Sequence, residues 1–431
     1  MSPNVRRYIA LFALSMGAAA SYNLPYIKYV FYDAWVAGLG LRPDQDPNTA
    51  AGFLLTWHMI GCILLYIPGG YIADKFSAKN IIIISLCGTG MLNIWYAFDP
   101  SLAASTYIWP LLAVSVGFAY WSGMIKAVRM LGSAQEQGRM YGWYNSGEGF
   151  FASSFLACAL VAYAFAKKMM PDLPENDPVV MLQGLKYATL VQGGTCFLAA
   201  LCTLVFFDNK LTIQGDISDD EKFKAQDIFK VVKNPWVWVC SVIGMCCYGT
   251  YTGQSYLTPY MTDVLKMSTF MAGIFAIIRT KGTRFIGGPI GGILADKIGS
   301  PAKIIIVSNA GMILFFGLLF ILPRDIHPAL VVTITLTASV FTFIGYNIMF
   351  AVIEEAGIPR YLMGTTVGIM SMLTYTPDGL INPVFGWFLD KYGDGGYTYI
   401  FLSLIALCIL GSIFCVILFR RGNDLRKAKT I

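Results

Sequence analysis

Long apolar stretches separated by short polar turns run along the whole of this 431-residue chain. A helix needs about 20 mostly apolar residues to cross the hydrocarbon core of a bilayer. The apolar runs are continuous and not alternating, so they favour spanning helices over the strands of a β-barrel. The twelve predicted spans are 8–33, 50–73, 80–98, 107–130, 141–165, 186–207, 236–260, 269–295, 303–322, 329–353, 364–390 and 398–420.

Two of the polar turns are near copies of each other. "GGYIADKFSAK" at 69–79 follows span 2, and "GGILADKIGSPAK" at 291–303 follows span 8. The longest polar break between neighbouring spans, 208–234, separates the two copies. An internal repeat of six helices is typical of transporters. We therefore predict an N-terminal six-helix bundle at 1–207, a cytoplasmic linker at 208–235 and a C-terminal six-helix bundle at 236–431.

Composition agrees with a membrane protein. Hydrophobic residues make up 56% of the chain and charged residues 13%, about half the share usual in soluble chains. The net charge of +6 needs no nucleic-acid partner. The ten cysteines lie in apolar runs, where free thiols behave as small hydrophobes. With only two histidines and no phosphate-binding glycine loop, no metal, cofactor or enzymatic activity is expected.

The distribution of Lys and Arg predicts the orientation. With both termini in the cytoplasm, 20 basic residues fall in cytoplasmic segments and 7 in outer segments, as the positive-inside rule requires. The first apolar stretch is too long for a cleavable signal peptide and is interpreted as span 1. Within the linker, 219–233 has helical apolar spacing at Phe223, Ile228, Phe229 and Val232, which predicts a short amphipathic helix.

Both repeated turns read G-x-[IL]-A-D-K, and in this the chain resembles the major facilitator superfamily of transporters. The matching positions are Gly70, Ile72, Ala73, Asp74, Lys75 and Lys79 in the first copy and Gly292, Leu294, Ala295, Asp296, Lys297, Gly299 and Lys303 in the second. The resemblance implies that span 2 neighbours span 11 and span 8 neighbours span 5. Asp74 would then face the start of span 11, and Asp296 the start of span 5. We expect these contacts to latch the outward-facing state; the alternative is that the motif only aids insertion and folding.

Ionisable residues at membrane depth are costly, so each is a functional candidate. From the rise of a helix, His58 lies about 18 Å and Asp378 about 21 Å deep, and they form a candidate proton site. A second candidate is an ion pair that gates the cytoplasmic side, formed by Glu148 about 10 Å deep and Arg284 about 12 Å deep. Glu148 is also a candidate for proton coupling. The alternatives are an ordinary hydrogen-bonded His58 and an Arg284 that snorkels to the cytoplasm.

Basic residues in the spans predict an anionic substrate. Arg279 lies about 20 Å deep, near the midplane. Guanidinium groups bind carboxylate, sulfonate or phosphate in a bidentate way, so Arg279 and Arg284 are candidate substrate ligands. Lys28 either contacts substrate or snorkels. Polar residues of span 7 suit either a hydroxylated ligand or hydrogen bonding between helices; those predicted to bind substrate are Tyr251, Gln254 and Tyr256.

Three stretches carry a narrower likeness: "LPYIKYVFY" at 24–32, "WSGMIKAVRMLGSAQEQGRMYG" at 121–142 and "RFIGGPIGGILADKIGSPAK" at 284–303. Together they look like a group of bacterial inner-membrane permeases, one of which belongs to a gene cluster for sulfosugar utilisation. This resemblance implies an organic anion or sugar acid as substrate. The group often has Glu and then Arg where this chain has Asn145 and Glu148, so the charge at 148 is reversed.

The sequence thus predicts an all-α protein of the inner membrane that works as a monomeric secondary active transporter. It would move a small polar anion by alternating access, coupled to protons or another ion. Its expected partners are this solute, the coupling ion and the lipid bilayer. Two other functions stay open: a transporter-like receptor that senses a ligand, and a lipid flippase.

Overall fold

The computed structural model describes residues 3–132, 137–208, 225–322, 327–358 and 363–430. Helices and the turns between them account for these ranges, in which there is no strand. The described residues form two compact units. The N-terminal unit contains 3–208 together with Met267–Ile277, and the C-terminal unit contains 225–266 and 278–430. The domain boundaries drawn from the sequence stay a prediction.

The N-terminal unit follows predicted spans 1 to 6. Span 4 consists of two α-helices, 102–112 and 121–131, joined by a π-helix, Ala113–Tyr120. The helices are α1 (Pro3–Ser21), α2 (Lys28–Gly38), α3 (Pro47–Lys75), α4 (Ala78–Phe98), α5 (Leu102–Leu112), α6 (Trp121–Leu131), α7 (Gln137–Met169) and α8 (Pro178–Phe206).

The remaining helices follow the linker and spans 7 to 12. They are α9 (Ala225–Lys233), α10 (Pro235–Gly253), α11 (Leu257–Asp263), α12 (Thr269–Ile277), α13 (Thr283–Ile298), α14 (Pro301–Ile321), α15 (Pro328–Ile348), α16 (Val352–Glu355), α17 (Met363–Thr374), α18 (Pro377–Tyr392) and α19 (Gly396–Thr430). A 3₁₀ turn, Gln254–Tyr256, joins α10 to α11, and a π-helix, Ile278–Gly282, joins α12 to α13. Of these helices, α12 belongs to the N-terminal unit.

The helices of the described residues reproduce all twelve predicted spans, and the predicted fold class, an all-α membrane protein of two six-helix bundles, is confirmed. Eight helical stretches in the described ranges are long and apolar enough to cross a membrane. Spans 1, 7 and 8 are not among these stretches, and the α-helix of each is interrupted. The breaks are a turn at 22–27, the 3₁₀ turn and the second π-helix.

Span 1 differs from the continuous helix that the sequence predicted. Its first helix ends at Ser21 and its second begins at Lys28. Pro25 has no N–H to donate and disfavours the helical conformation at the residue before it. The chain turns tightly here, with the Ile27 N–H donating to the Leu24 carbonyl at 3.2 Å. The apolar pattern runs through the turn, so hydropathy alone did not show the break.

Several helices begin with a polar cap followed directly by proline. Asn234 accepts from the N–H of Trp236 at 3.0 Å, with Pro235 as the first residue of α10. Proline suits this position because its missing N–H would have no partner there. The same pairing starts three more helices, at Asp177-Pro178, Ser300-Pro301 and His327-Pro328.

The predicted amphipathic helix of the linker is present as α9. Among the residues of α9 whose burial is described, 229–233, Val231 is 1% exposed and Phe229 is 70% exposed. Val231 packs into the C-terminal core with Val237, and Phe229 lies on the exposed side of α9. Residues 209–224 lie outside the described ranges.

Two glycines bring α13 and α15 of the C-terminal unit into close contact. A Cβ on Gly287 would lie 2.8 Å from the carbonyl oxygen of Val340, and one on Gly291 would lie 2.6 Å from that of Ile344. The four-residue spacing puts both glycines on one face of α13, against the backbone of α15. Small residues at this spacing let membrane helices pack backbone to backbone. Gly292, the glycine of the motif, faces open space instead.

We expect Gly291→Ala to destabilise the protein, whereas Gly292→Ala does not. The added methyl at 291 meets backbone that cannot rotate away, so α13 and α15 must separate, at a cost of roughly 1–3 kcal/mol. Thermal unfolding in detergent measures both variants under the same conditions. Equal melting temperatures for the two variants would contradict the packing described here.

Candidate functional site

Asp378 lies at the centre of a hydrogen-bond network that joins spans 7 and 11. The Tyr248 hydroxyl donates to Asp378 Oδ2 at 2.5 Å, and the Thr252 hydroxyl donates to Oδ1 at 2.6 Å. Tyr248 and Thr252 are four residues apart, so they share one face of α10. The carboxylate is 5% exposed and sits in the first turn of α18, where the helix dipole favours negative charge. Both of its oxygens are therefore bound by hydroxyls within the C-terminal unit.

A cluster of tyrosines adjoins the carboxylate. The Tyr248 ring lies 5.7 Å from that of Tyr251, and Tyr251 lies 4.7 Å from Tyr346 of α15. Tyr375, in the turn before α18, meets Tyr248 edge-on at 4.8 Å. We call these four residues, Tyr248, Tyr251, Tyr346 and Tyr375, the tyrosine cluster. Tyr251 and Tyr346 are half-buried, so the cluster is partly accessible.

Arg284 reaches this cluster from span 8. Its guanidinium carbon lies 5.8 Å from the centre of the Tyr346 ring, within the range of a cation–π interaction. The side chain is half-buried. The contact with Tyr346 does not decide whether the Arg284 side chain extends toward the cytoplasm, which was the alternative. The structure does bring Arg284, Tyr251 and Asp378 into one continuous set of side chains through Tyr346 and Tyr248.

Arg279 occupies a different environment one turn earlier. It is fully buried in the π-helical segment of span 8, and its Nη2 donates to the Thr258 hydroxyl of α11 at 2.8 Å. A π-helix has a wider turn than an α-helix, and such segments occur often at functional sites. The sequence, counted as a regular helix, gave no sign of this segment. Arg279 thus faces α11, and its role as a substrate ligand stays a prediction.

The other two predicted ligands of span 7 have their polar groups engaged inside the bundle. Gln254 accepts from the Ser339 hydroxyl at 2.6 Å and donates to the Thr342 hydroxyl, both on α15. The Tyr256 hydroxyl donates to the Asn382 carbonyl of α18 at 2.8 Å. These contacts have the form of the helix-to-helix bonding that was the alternative for span 7. A solute would have to displace them.

Three predicted residues belong to the N-terminal unit. Lys28 is buried at the start of α2, with its ammonium 5.2 Å from the centre of the Tyr29 ring. His58 is buried, with Nδ1 3.3 Å from the Trp109 carbonyl and Nε2 3.6 Å from the Cys62 thiol. The carbonyl only accepts, so Nδ1 carries a proton and donates. Glu148 is half-buried on α7.

The structure describes only part of the repeated motif. The side chains of Asp74, Lys75 and Asp296, and the surroundings of Gly70, lie outside the described residues. Lys297 is exposed at the end of α13. Gly299 takes a left-handed conformation, with φ of 63°, and ends this helix by donating to the Ala295 carbonyl. The contacts expected of Asp74 and Asp296 stay predictions, as does the pairing of Glu148 with Arg284.

Glu355 holds the turn after the second motif copy, and the sequence analysis missed it. Its carboxylate accepts from the Ser300 hydroxyl at 2.7 Å and from the Ala302 N–H at 3.1 Å. Negative charge is favoured at this N-terminus of α14. Glu355 lies in a polar stretch after span 10, where a charged residue is ordinary and gives no signal of a site. Its neighbour Glu354 is exposed.

Buried amides of the N-terminal unit were missed for a related reason. Asn93 on α4 and Gln192 on α8 are fully buried, and each has a side-chain polar atom without a hydrogen-bond partner among the described residues. The two helices approach closely beside them, since a Cβ on Gly193 would lie 3.2 Å from the Asn93 Cβ. An uncharged amide in an apolar run changes the hydropathy little, so the sequence gives no signal of its burial.

The geometry defines a multi-span membrane protein with a carboxylate, a guanidinium group and hydroxyls gathered inside one unit. The family model of the Major Facilitator Superfamily matches residues 8–378. The chain belongs to this family, whose members are transporters. The predicted resemblance is confirmed.

Relatives and solved structures agree with the family. The chain is 28% identical over 427 residues to inner membrane protein YqcE of Escherichia coli, covering 96% of this chain and 95% of that one. It is 25% identical over 432 residues to inner membrane protein YihN of the same organism, covering 97% of each. The crystal structure of nucleoside transporter NupG has a TM-score of 0.69 at 14% identity, covering 97% of this chain and 99% of that one.

We expect Glu355→Gln to lower the melting temperature in detergent, because a neutral amide accepts more weakly from Ser300 and Ala302. Hydrogen bonds to charged groups contribute roughly 1.5–3 kcal/mol. The matched control is Glu354→Gln, which removes the same charge from the exposed neighbour. If both variants unfold at the same temperature, the contact of Glu355 with α14 is not stabilising.

Proposed function

We propose that the chain is a secondary active transporter of small organic anions, such as sugar acids, in a bacterial inner membrane with both termini in the cytoplasm. Membership in a family of transporters and likeness to inner membrane proteins support the setting. The observation that carries the substrate class is the contact between Arg284 and the tyrosine cluster. A guanidinium group beside aromatic faces and hydroxyls suits an anionic ligand that also carries hydroxyl groups.

The position of Tyr248 supports proton coupling through Asp378. This tyrosine belongs to the cluster and also donates to the Asp378 carboxylate. When a proton binds one carboxylate oxygen, that oxygen becomes a donor and accepts only weakly, so the hydroxyl bound to it, that of Tyr248 or of Thr252, is released more easily. A freed Tyr248 hydroxyl is then available to a solute at the cluster. Protonation of Asp378 and binding of solute would thus favour each other.

The roles of the remaining residues follow from their place in this scheme. Arg279 would set the positive potential near the midplane from its bonded position. From the N-terminal unit, Lys28 would contact the solute and His58 would take part in proton coupling. Glu148 would pair with Arg284 in one state, which would withdraw the guanidinium from the solute. The motif residues would latch the cytoplasmic side during alternating access.

Substrate class is tested by a thermal-shift screen of the purified protein against sugar acids, sulfonated sugars, phosphosugars and neutral sugars. We expect an anionic sugar to stabilise the protein, and Arg284→Gln to weaken its binding about ten-fold or more, because a charge-assisted bond is lost. Arg42→Gln is the matched control: this arginine is exposed and pairs with Asp44 at 3.2 Å. Stabilisation by neutral sugars alone, unchanged in Arg284→Gln, would rule out the anion.

Cargo movement separates a transporter from a sensor. In sealed proteoliposomes we expect the anion found in the screen to accumulate when a pH gradient is imposed. Binding without movement would instead favour a receptor that kept the fold.

We expect Asp378→Asn to abolish uptake driven by a pH gradient while sparing exchange of solute across the membrane. The amide cannot bind and release the proton at this position. Asp394→Asn, in the exposed turn before α19, controls for the loss of one carboxylate. Unchanged pH dependence in Asp378→Asn would remove this residue from coupling.

A further inference from the structure

An apolar groove runs along the outside of the N-terminal unit between α7 and α8. Its volume is about 750 Å³. One wall is a stripe of α7 with helical spacing, from Cys158 through Val161 and Phe165 to Lys168. The other wall contains Tyr187 and Val191 of α8. Ten residues of helix separate Cys158 from Lys168, so the groove is about 15 Å long.

The groove has one charged end and is otherwise apolar. Lys168 lies in the last turn of α7, where the chain leaves the membrane before α8 begins. Beside it, the Phe165 and Tyr187 rings meet at 6.2 Å across the two helices. From there the lining is made of aliphatic side chains and the thiol of Cys158. The polarity therefore changes along the groove as it does along a lipid, from headgroup to acyl chain.

The lysines near the groove differ in what their ammonium groups contact. The Lys167 ammonium donates to the carbonyls of Pro171 at 2.7 Å and Leu173 at 2.5 Å. The Lys186 ammonium lies 4.5 Å from the centre of the Phe98 ring. Lys168 makes no hydrogen bond or ion pair with the described residues, and it lines the groove. Its charge is available to a group at the mouth of the groove.

We propose that this groove binds one anionic phospholipid, with an acyl chain along α7 and α8 and the phosphate at Lys168. Burial of the chain against apolar side chains supplies affinity, and the cation selects negative headgroups. The site lies within one unit and on its lipid-facing side. It is independent of the solute site proposed above, so either one can fail without the other.

The test is native mass spectrometry of the protein purified from phosphatidylcholine vesicles that contain phosphatidylglycerol. The wild type should retain phosphatidylglycerol, and Lys168→Gln should retain about five-fold less, as expected for one cation near the lipid surface. Lys186→Gln is the matched control and should retain as much as the wild type. Equal loss in both variants, or none in Lys168→Gln, overturns the proposal.

A second variant distinguishes lipid binding in the groove from attraction of the headgroup by Lys168 alone. Ala162→Phe fills the groove and leaves Lys168 in place, so it should also lose phosphatidylglycerol; if it does not fold, Val191→Phe replaces it. Retention at the wild-type level in the filled variant would mean that the lysine attracts headgroups without a groove, and the proposal would be wrong. Free glycerol phosphate should not displace the lipid, since it has no acyl chain; displacement would also overturn it.

The protein carries its own probe of occupancy. Among the ten free cysteines, Cys158 is the exposed one, and it lies at the inner end of the groove. A membrane-soluble maleimide should label Cys158 more slowly when phosphatidylglycerol replaces phosphatidylcholine, and this difference should vanish in Lys168→Gln. Cys158→Ser gives the background. Equal labelling of the wild type in both lipids would overturn the proposal.

Discussion

The two hydrogen bonds to the Asp378 carboxylate are the contacts on which the C-terminal site depends. An ionised carboxylate at membrane depth is tolerated only where charge or hydrogen bonds replace its hydration. Tyr248 and Thr252 supply those bonds from one face of α10, and the start of α18 adds the favourable end of a helix dipole. The two bonds therefore constrain the rotation of α10 and α18 about their axes, and Tyr251, Tyr346 and Tyr375 pack around Tyr248.

Elsewhere the bundles are held by close backbone approach. In lipid there is no hydrophobic gain from bringing two apolar helices together, so van der Waals contact and hydrogen bonds must do it. Gly287 and Gly291 let α13 meet the backbone of α15, while Gln254 binds α15 through two hydroxyls. The helix α15, which forms span 10, thus packs against two glycines of α13 and is hydrogen-bonded to Gln254 of span 7. Both kinds of contact depend on particular residues, so one added methyl group at position 291 is expected to separate α13 from α15.

The fold was readable from the sequence because length, hydropathy and a repeated turn suffice to count spans. Hydropathy does not register interruptions inside an apolar run, so the break in span 1 and both π-helices were missed. The charge of Asp378 made it a candidate in the sequence. Its partners Tyr248 and Thr252 carry no charge, and their four-residue spacing shows only that they share one face of span 7. Tyr346 carried no signal at all, since its contact with Arg284 joins two helices distant in sequence. Glu355 could not be predicted because it lies in a loop, where a charged residue is ordinary and its contact with α14 leaves no trace in the sequence.

Four of the candidate site residues lie at helix interruptions, and the physics of the membrane explains why. Lys28 follows the turn of span 1, Gln254 starts the 3₁₀ turn of span 7, Arg279 lies in the π-helix of span 8, and Asp378 follows the turn that splits span 11. A break frees backbone groups that lipid cannot satisfy, so it persists only where protein or water supplies partners. The π-helix of span 4 carries no charge, yet it has such a partner: the Ser115 hydroxyl of this segment and that of Ser85 on α4 donate to each other's carbonyls. Polar side chains therefore accompany these breaks, and spans 1 and 7, which the repeat makes equivalent, are interrupted at corresponding places.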